Sequence, residues 1–414
     1  MSIYKYLVPF ILFIWFPITG FASDSFSFSG YYKSFFTAIA PVNFKGQSSA
    51  NQPLKGAVTN RLRFKAFYNP KKWLSLSVAY SPYFQVQDSS SFSNQLNDVS
   101  VKTVKYRVFD LDSRIYPDKD DAIGSFGIYQ NLDRALVVFS IPKADIRIGR
   151  QAIAWGSAHI INPTDVLAPF SLDTLDVEER IGVDAIQVII PVGFMGEINL
   201  GSVCGKDFEM KRSALFSKFK YNILKSDVSI LLLDFQKNLL IGFDLTRNIG
   251  GAGAWIEAAQ VMAGLFENKK NDEMSDYFRI SLGMDYNFIG KIYAFAEYHY
   301  NEAGSTDPRE YLSNLTKTAY TDGSVYLMGR HYLASGINYQ VKPLITLSGQ
   351  NLFNLPDRST FLSIQAEYNI AQDIYVSLGT FAGIGKRPEM TDTRFNSEFG
   401  SYQNTYFSSF RIYF

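Results

Sequence analysis

Between residues 277 and 288 the chain alternates without a break. Phe278, Ile280, Leu282, Met284, Tyr286 and Phe288 fall on one side, and Tyr277, Arg279, Ser281, Gly283, Asp285 and Asn287 on the other. A period of two sends successive side chains to opposite faces of a β-strand. The same period recurs along most of the chain. Leu62, Phe64, Ala66 and Tyr68 alternate with Arg61, Arg63, Lys65 and Phe67, and Leu74, Leu76, Val78 and Tyr80 carry the apolar face of the next segment. Further strands are predicted over 134–141, 182–190, 197–203, 212–221, 227–235, 239–246, 254–262, 291–300, 330–341, 344–353, 360–370 and 374–381. The alternation is blurred near 182, 227 and 254.

The joins between strands alternate in length. Asn69-Pro70, Pro142-Lys143, Pro191-Val192-Gly193, Ile289-Gly290, Lys342-Pro343 and Ala371-Gln372-Asp373 are tight turns, whereas 87–133, 301–329 and 385–403 are long and polar. Within 87–133 a small hairpin is expected near 106–115. Strands of about ten residues with one apolar face, joined by short turns at one end and long loops at the other, predict an all-β, antiparallel transmembrane β-barrel. The count comes to about 18 strands, with 16 as the alternative; an even number closes the sheet without an open edge. On the strand 277–288, Leu282 is assigned to lipid and Ser281 to a water-filled lumen that would tolerate a larger polar side chain.

One stretch interrupts the pattern. The strand carrying Asp145 and Arg147 runs through Arg150 and Gln151 into Ala-Ile-Ala-Trp155-Gly-Ser-Ala-His-Ile-Ile-Asn162-Pro163-Thr164-Asp165, where alternation stops. Asn162-Pro163 and Ala168-Pro169 each push the residue before proline away from helix, and Thr164 or Asp165 could cap one short turn. Residues 152–180 therefore read as a long ordered loop folded into or across the barrel mouth. Arg150, Gln151, Trp155, Asn162, Pro163 and Asp165 are the candidates for positioning it. Its acidic tail, Asp173, Asp176, Glu178 and Glu179, would face the basic ladder Arg61, Arg63, Lys65 and Arg147 across a constriction. Charged walls in a narrow pore bias ion entry, here toward a slight anion preference. The alternative is a solvated wall whose charges pair laterally.

Composition agrees with a membrane sheet. Aromatic residues make up 16% of the 414 residues, with 35 Phe and 26 Tyr, while charged residues are 19% and the net charge is +1. A nucleic-acid partner would call for a basic surplus that is absent. Cys204 is the single cysteine, which excludes an intramolecular disulfide and a thiolate cluster. Residues 1–22 have the form of a secretory signal: Lys5, an apolar run over 7–16, then Gly20 and Ala22 at the cleavage positions. That run is shorter than the ~20 residues of a spanning helix. Cleavage after Ala22 would leave 23–414 as one barrel domain.

Candidate chemistry is sparse. His159, His299 and His331 stand at no metal-ligand spacing. Asp110, Asp112, Asp118, Asp120 and Asp121 lack the glycine turn and terminal glutamate of a calcium loop. No phosphate-binding loop or nucleophile elbow is present. Neither an enzyme nor a cofactor is expected.

Two segments carry a resemblance. The chain ends Tyr406-Phe-Ser-Ser-Phe410-Arg-Ile412-Tyr-Phe414, which resembles the C-terminal signature strand of bacterial outer-membrane barrels. Phe410, Ile412 and Phe414 would be its assembly signal, with the barrel-assembly machinery and outer-membrane lipids as partners in a gram-negative cell. Gly149-Arg150-Gln151-x-Ile153-x-Trp155-Gly156, followed by Asn162-Pro163-Thr164-Asp165, resembles a pattern in a poorly characterised family of gram-negative porin-like outer-membrane proteins. Its Gly-Arg-Gln opening is also similar to 18-stranded alginate-export-type barrels. The resemblance implies a channel for passive diffusion of a small hydrophilic solute. A loop-plugged barrel that anchors or receives a partner is one alternative; an exporter of an anionic polysaccharide is another, although this lumen mixes both charges where such exporters are densely basic.

Overall fold

The computed structural model describes residues 25–42, 44, 53–88, 106–118, 120–389 and 395–414. The expected signal segment lies outside them. The chain forms β1 (Phe26–Ala40), β2 (Lys55–Lys71), β3 (Leu74–Gln87), a three-residue β4 (Arg114–Tyr116), β5 (Phe126–Ile141) and β6 (Ala144–Gln151). After the central loop come β7 (Val183–Val192), β8 (Gly196–Val203), β9 (Ala214–Ile223), β10 (Ser226–Phe235), β11 (Asn238–Ile249) and β12 (Ala252–Met262). β13 (Tyr277–Phe288), β14 (Ile292–Asn301), β15 (His331–Lys342), β16 (Ile345–Asn354), β17 (Ser359–Ala371), β18 (Ile374–Ile384) and β19 (Asn404–Tyr413) complete the chain.

Each wall strand pairs antiparallel with the next, β3 pairs directly with β5, and β19 returns to β1. The result is a closed antiparallel barrel of 18 strands with β4 outside the ring. β4 has a physical reason to exist. β6 pairs with β5 only up to Ala135↔Arg150, and Arg114 and Tyr116 pair with Tyr129 and Ile128 farther along β5. The edge left bare where β6 turns inward is thus partly covered.

The outer and inner faces follow the alternation. On β13, Leu282, Met284, Tyr286 and Phe288 are exposed on the outside, while Arg279 and Ser281 are buried inside. Ser281 is not bathed by water, as the alternation alone would suggest; its hydroxyl donates to the Ile161 carbonyl of the central loop at 2.6 Å. Closure is sealed at the last residue. Phe414 exchanges both backbone hydrogen bonds with Gly30, at 2.8 and 3.0 Å, and its ring lies where a side chain at Gly30 would stand.

β5 starts at Phe126, eight residues before the predicted strand. The alternation is broken there by a bulge: Ala79 and Tyr80 are adjacent on β3, yet they pair with Arg134 and Leu132, leaving Asp133 as the extra residue. A bulge re-aims a side chain, and this one brings Asp133 and Arg134 together. The expected hairpin near 106–115 is instead the β4 flap plus Tyr106, which is buried among Val183, Phe216 and Leu233.

Candidate functional site: the loop inside the barrel

The central loop begins because β6 stops being a strand. Gly149 has φ +117°, and a Cβ there would collide with the Ala135 carbonyl. Arg150 then anchors the departure. It donates to both oxygens of Asp184 (2.7 and 3.1 Å), to Asp110 (2.9 Å) and to the carbonyls of Leu132 and Phe109. Gln151 donates to the Ala185 carbonyl at 3.2 Å. Trp155 packs edge-on against Phe216 of β9, with ring centroids 5.0 Å apart.

The loop next crosses to β12–β14, about half-way around the ring from β2. Two wall carboxylates receive it. Glu257 of β12 accepts the backbone N–H groups of Ser157 (3.0 Å), Ala158 (3.1 Å) and Thr164 (2.8 Å), plus the Thr164 hydroxyl. Glu297 of β14 accepts from the backbone N–H groups of His159 (2.8 Å) and Ile161 (3.1 Å) and from the Trp255 indole (3.0 Å). Gly156, at φ +100°, permits this approach, since a side chain there would strike Asn162 and Glu257. Successive N–H groups around a carboxylate replace the water that a buried charge loses. His159 lies against Trp255, and its Nε2 sits 3.2 Å from Asp285 and 2.9 Å from the Tyr293 hydroxyl.

The turn at Asn162-Pro163 is closed by Asp165 N–H donating to the Asn162 carbonyl, and Pro163 is buried. The Asp165 side chain is taken by Arg180, which also donates to the Ala168 carbonyl. That pair ties the loop's start to its end. Burial pushes the Asp165 carboxyl above the usual carboxylate range despite Arg180 beside it.

The acidic tail then docks on the basic strands. Lys33, fully buried, bonds Asp176 at 2.9 Å and Glu178 at 2.5 Å. Arg61 reaches Asp176 at 3.3 Å, and Lys65 pairs with Glu179. Arg63 bonds Asp133 of the bulge at 2.6 Å and Glu179 at 3.5 Å, and Asp133 also accepts from Arg134. These charges touch; they do not face one another across open water. Two of the sequence candidates stand apart among the described residues. Asp173 is exposed without an ion pair, and Arg147, paired in register with Val138 and Gln187, meets none of the loop's carboxylates.

Open space lies on the other side of the loop. A cavity of about 460 Å³ runs between residues 159–180 and the inner face of β16–β18, where Ser348, Gln350, Ser363 and Gln365 line it. Arg180 and Arg279 are its cations and Asp165 its carboxylate. At the long-loop rim the connections are knotted together by buried Glu398, which accepts from Asn354 (2.8 Å), from the Met328 N–H (3.0 Å) and from the Tyr332 hydroxyl.

A closed antiparallel barrel of this kind is found in known structures. The fold is that of the outer membrane protein OprD. OprD from Pseudomonas aeruginosa superposes with a TM-score of 0.56 at 10% identity, covering 96% of this chain and 95% of that one. Acinetobacter baumannii OccAB2 gives 0.58 at 8% identity over 94% and 98%, and OccAB4 of the same organism gives 0.54 at 9% over 96% and 100%. No protein-family model matches the chain, and no curated protein matches it. At such identities the OprD-like likeness extends to the fold alone.

Sequence reading missed Glu257 as a loop anchor and Asp133 as a clamp. For Glu257 a signal existed. It lies mid-strand on the inner face, with Asp244 and Ser281 as its register neighbours, neither of them a cation. A carboxylate so placed needs donors from outside the wall. For Asp133 no signal was available, because its inward direction depends on the bulge.

Proposed function

We propose that the chain is an outer-membrane channel for passive diffusion of small hydrophilic solutes, exported with residues 1–22 removed. The observation that carries this reading is the cavity between the inward loop and β16–β18, where Ser348, Gln350, Ser363 and Gln365 of the strands offer polar side chains beside apolar ones such as Phe361 and Phe381. The fold shared with OprD, an outer membrane protein by name, supports the location. In this reading the ladder of Lys33, Arg61, Arg63 and Lys65 is a clamp. Its charges are matched at contact distance, so they hold the loop and contribute little field to the path. A slight anion preference comes instead from Arg180 and Arg279 set against Asp165.

A loop-plugged barrel is the second reading. It is favoured by the apolar packing of Ile153, Val166 and Leu167 with Ala319 and Val325 of the long-loop rim. Liposome swelling separates the two. Vesicles carrying the barrel should swell in small sugars and amino acids and stay intact in a large dextran, and deletion of residues 158–171 should speed the swelling. Vesicles that do not swell with the native chain would favour the plug.

A further inference from the structure

The short-turn rim carries bare apolar side chains on one arc. Phe194 (94% exposed) and Met195 stand between β7 and β8, Leu224 (83%) between β9 and β10, and Ile289 (92%) between β13 and β14. Leu224 at φ 51° and Ile289 at φ 54° hold the left-handed backbone that glycine or asparagine adopts more readily. In water such a residue is unfavourable twice, through its backbone and through its exposed hydrocarbon. Each of these two turns also presents a lysine to the outside, Lys225 and Lys291.

Strand length decides what covers the tips. β7, β9 and β10 have 10 residues each and β8 has 8. At ~3.4 Å per residue and a tilt of ~40°, such strands rise about 21–26 Å, close to the ~25 Å height of the apolar band of a membrane barrel. Along β7–β10 one rim must therefore lie at the edge of the hydrocarbon, while β13, with 12 residues, stands slightly taller. The long-loop rim is unfit for that place. Its β8–β9 connection holds Lys206, Asp207, Glu209, Lys211 and Arg212, and its β12–β13 connection holds Glu267, Lys269, Lys270 and Asp272. The apolar tips fit it. Their lysines can extend past the hydrocarbon to phosphate, as long basic side chains do at membrane surfaces.

We propose that the short-turn rim from β7 to β14 is a lipid-contact surface. Phe194, Met195, Leu224 and Ile289 enter the interfacial layer of the adjoining leaflet, and Lys225 and Lys291 meet anionic phospholipid head groups there. The inference rests on the membrane-embedded reading above.

Spin labels on the full-length barrel test it, in a Cys204→Ser background and in vesicles of phosphatidylethanolamine with phosphatidylglycerol. Labels at Phe194→Cys, Leu224→Cys and Ile289→Cys are compared with Gln372→Cys, on a polar turn, and Leu282→Cys, on the outer wall. The ratio of collisions with oxygen to collisions with a water-soluble nickel chelate should be several-fold higher at the three tips than at Gln372→Cys. It should fall when phosphatidylglycerol is omitted. Ratios equal to that of Gln372→Cys would overturn the proposal. So would labels that neither reagent reaches, because a second copy or another protein would then cover the rim. A ratio insensitive to phosphatidylglycerol would overturn the head-group contact. Lack of oxygen access at Leu282→Cys would instead defeat the membrane reading itself.

Discussion

The Glu257 carboxylate accepts both the backbone N–H and the hydroxyl of Thr164, at 2.8 and 2.7 Å, joining the tip of the central loop to the wall opposite the loop's acidic tail. With Ser157 and Ala158 it satisfies three backbone donors. Glu257→Ala leaves these donors stranded, at on the order of 1–3 kcal/mol for each one that stays buried. The loop should become cleavable by added protease within residues 157–164. The barrel should keep its heat-dependent gel shift, since the strand ladder uses no side chains. Protection of the loop equal to that of the native chain would show that Glu257 does not hold it.

The clamp at the other end of the loop should fail in acid. Burial raises the Asp176 carboxyl, but Lys33 and Arg61 outweigh it and hold it below the usual carboxylate range. Glu178 is likewise raised by burial and carried lower by hydrogen bonds from Lys33 and Tyr413. Groups with depressed folded values stabilise the docked tail fully above the ordinary range near pH ~4 and lose that contribution as pH falls through the depressed values. Open-channel noise should therefore rise as pH drops below about 4, and Asp176→Asn should show excess noise already at neutral pH. Noise that is flat from pH 7 to 3 would contradict the clamp.

Leu282 and Ser281 are neighbours with opposite fates. Leu282→Arg puts a charge on the lipid face and should cost ~2–4 kcal/mol near mid-bilayer, measured by unfolding in vesicles. Ser281→Arg should leave the barrel assembled but evict the loop, because Ser281 is fully buried against Ile161. It should raise conductance. A Ser281→Arg barrel with unchanged conductance would show that the loop does not rest there.

The wall was largely legible in the sequence because a period of two survives whatever the lumen contains; the tight turns and the inward and outward faces of β13 followed from it. The interior was legible only in part. The acidic tail and the basic ladder do meet, but opposite charges in one lumen say nothing about the gap between them, and here it has closed to ion-pair distance. Arg147 falls outside that contact because it pairs with Val138 and Gln187, nearer the short-turn rim than the Ala135↔Arg150 level at which the loop leaves the wall; Arg63 gains Asp133 through the bulge, a local register shift without a compositional trace.

The seam makes a separate test. Gly30 faces the Phe414 ring and the Arg63 carbonyl with no room for a Cβ. Gly30→Val should lower the amount of closed barrel in the membrane fraction, as should Phe414→Ser, which removes the ring packed on Gly30. Normal yields of heat-modifiable barrel from both variants would show that closure depends on neither residue.

In the proposed channel, solute passes between the loop and β16–β18. Single-channel conductance of Gln350→Cys, in the Cys204→Ser background, tests it most directly, because Gln350 lines that cavity. Discrete open steps are expected, falling to a lower level when a bulky methanethiosulfonate reacts with the new thiol. An absence of steps before reaction, or steps unchanged after complete labelling, would contradict that path.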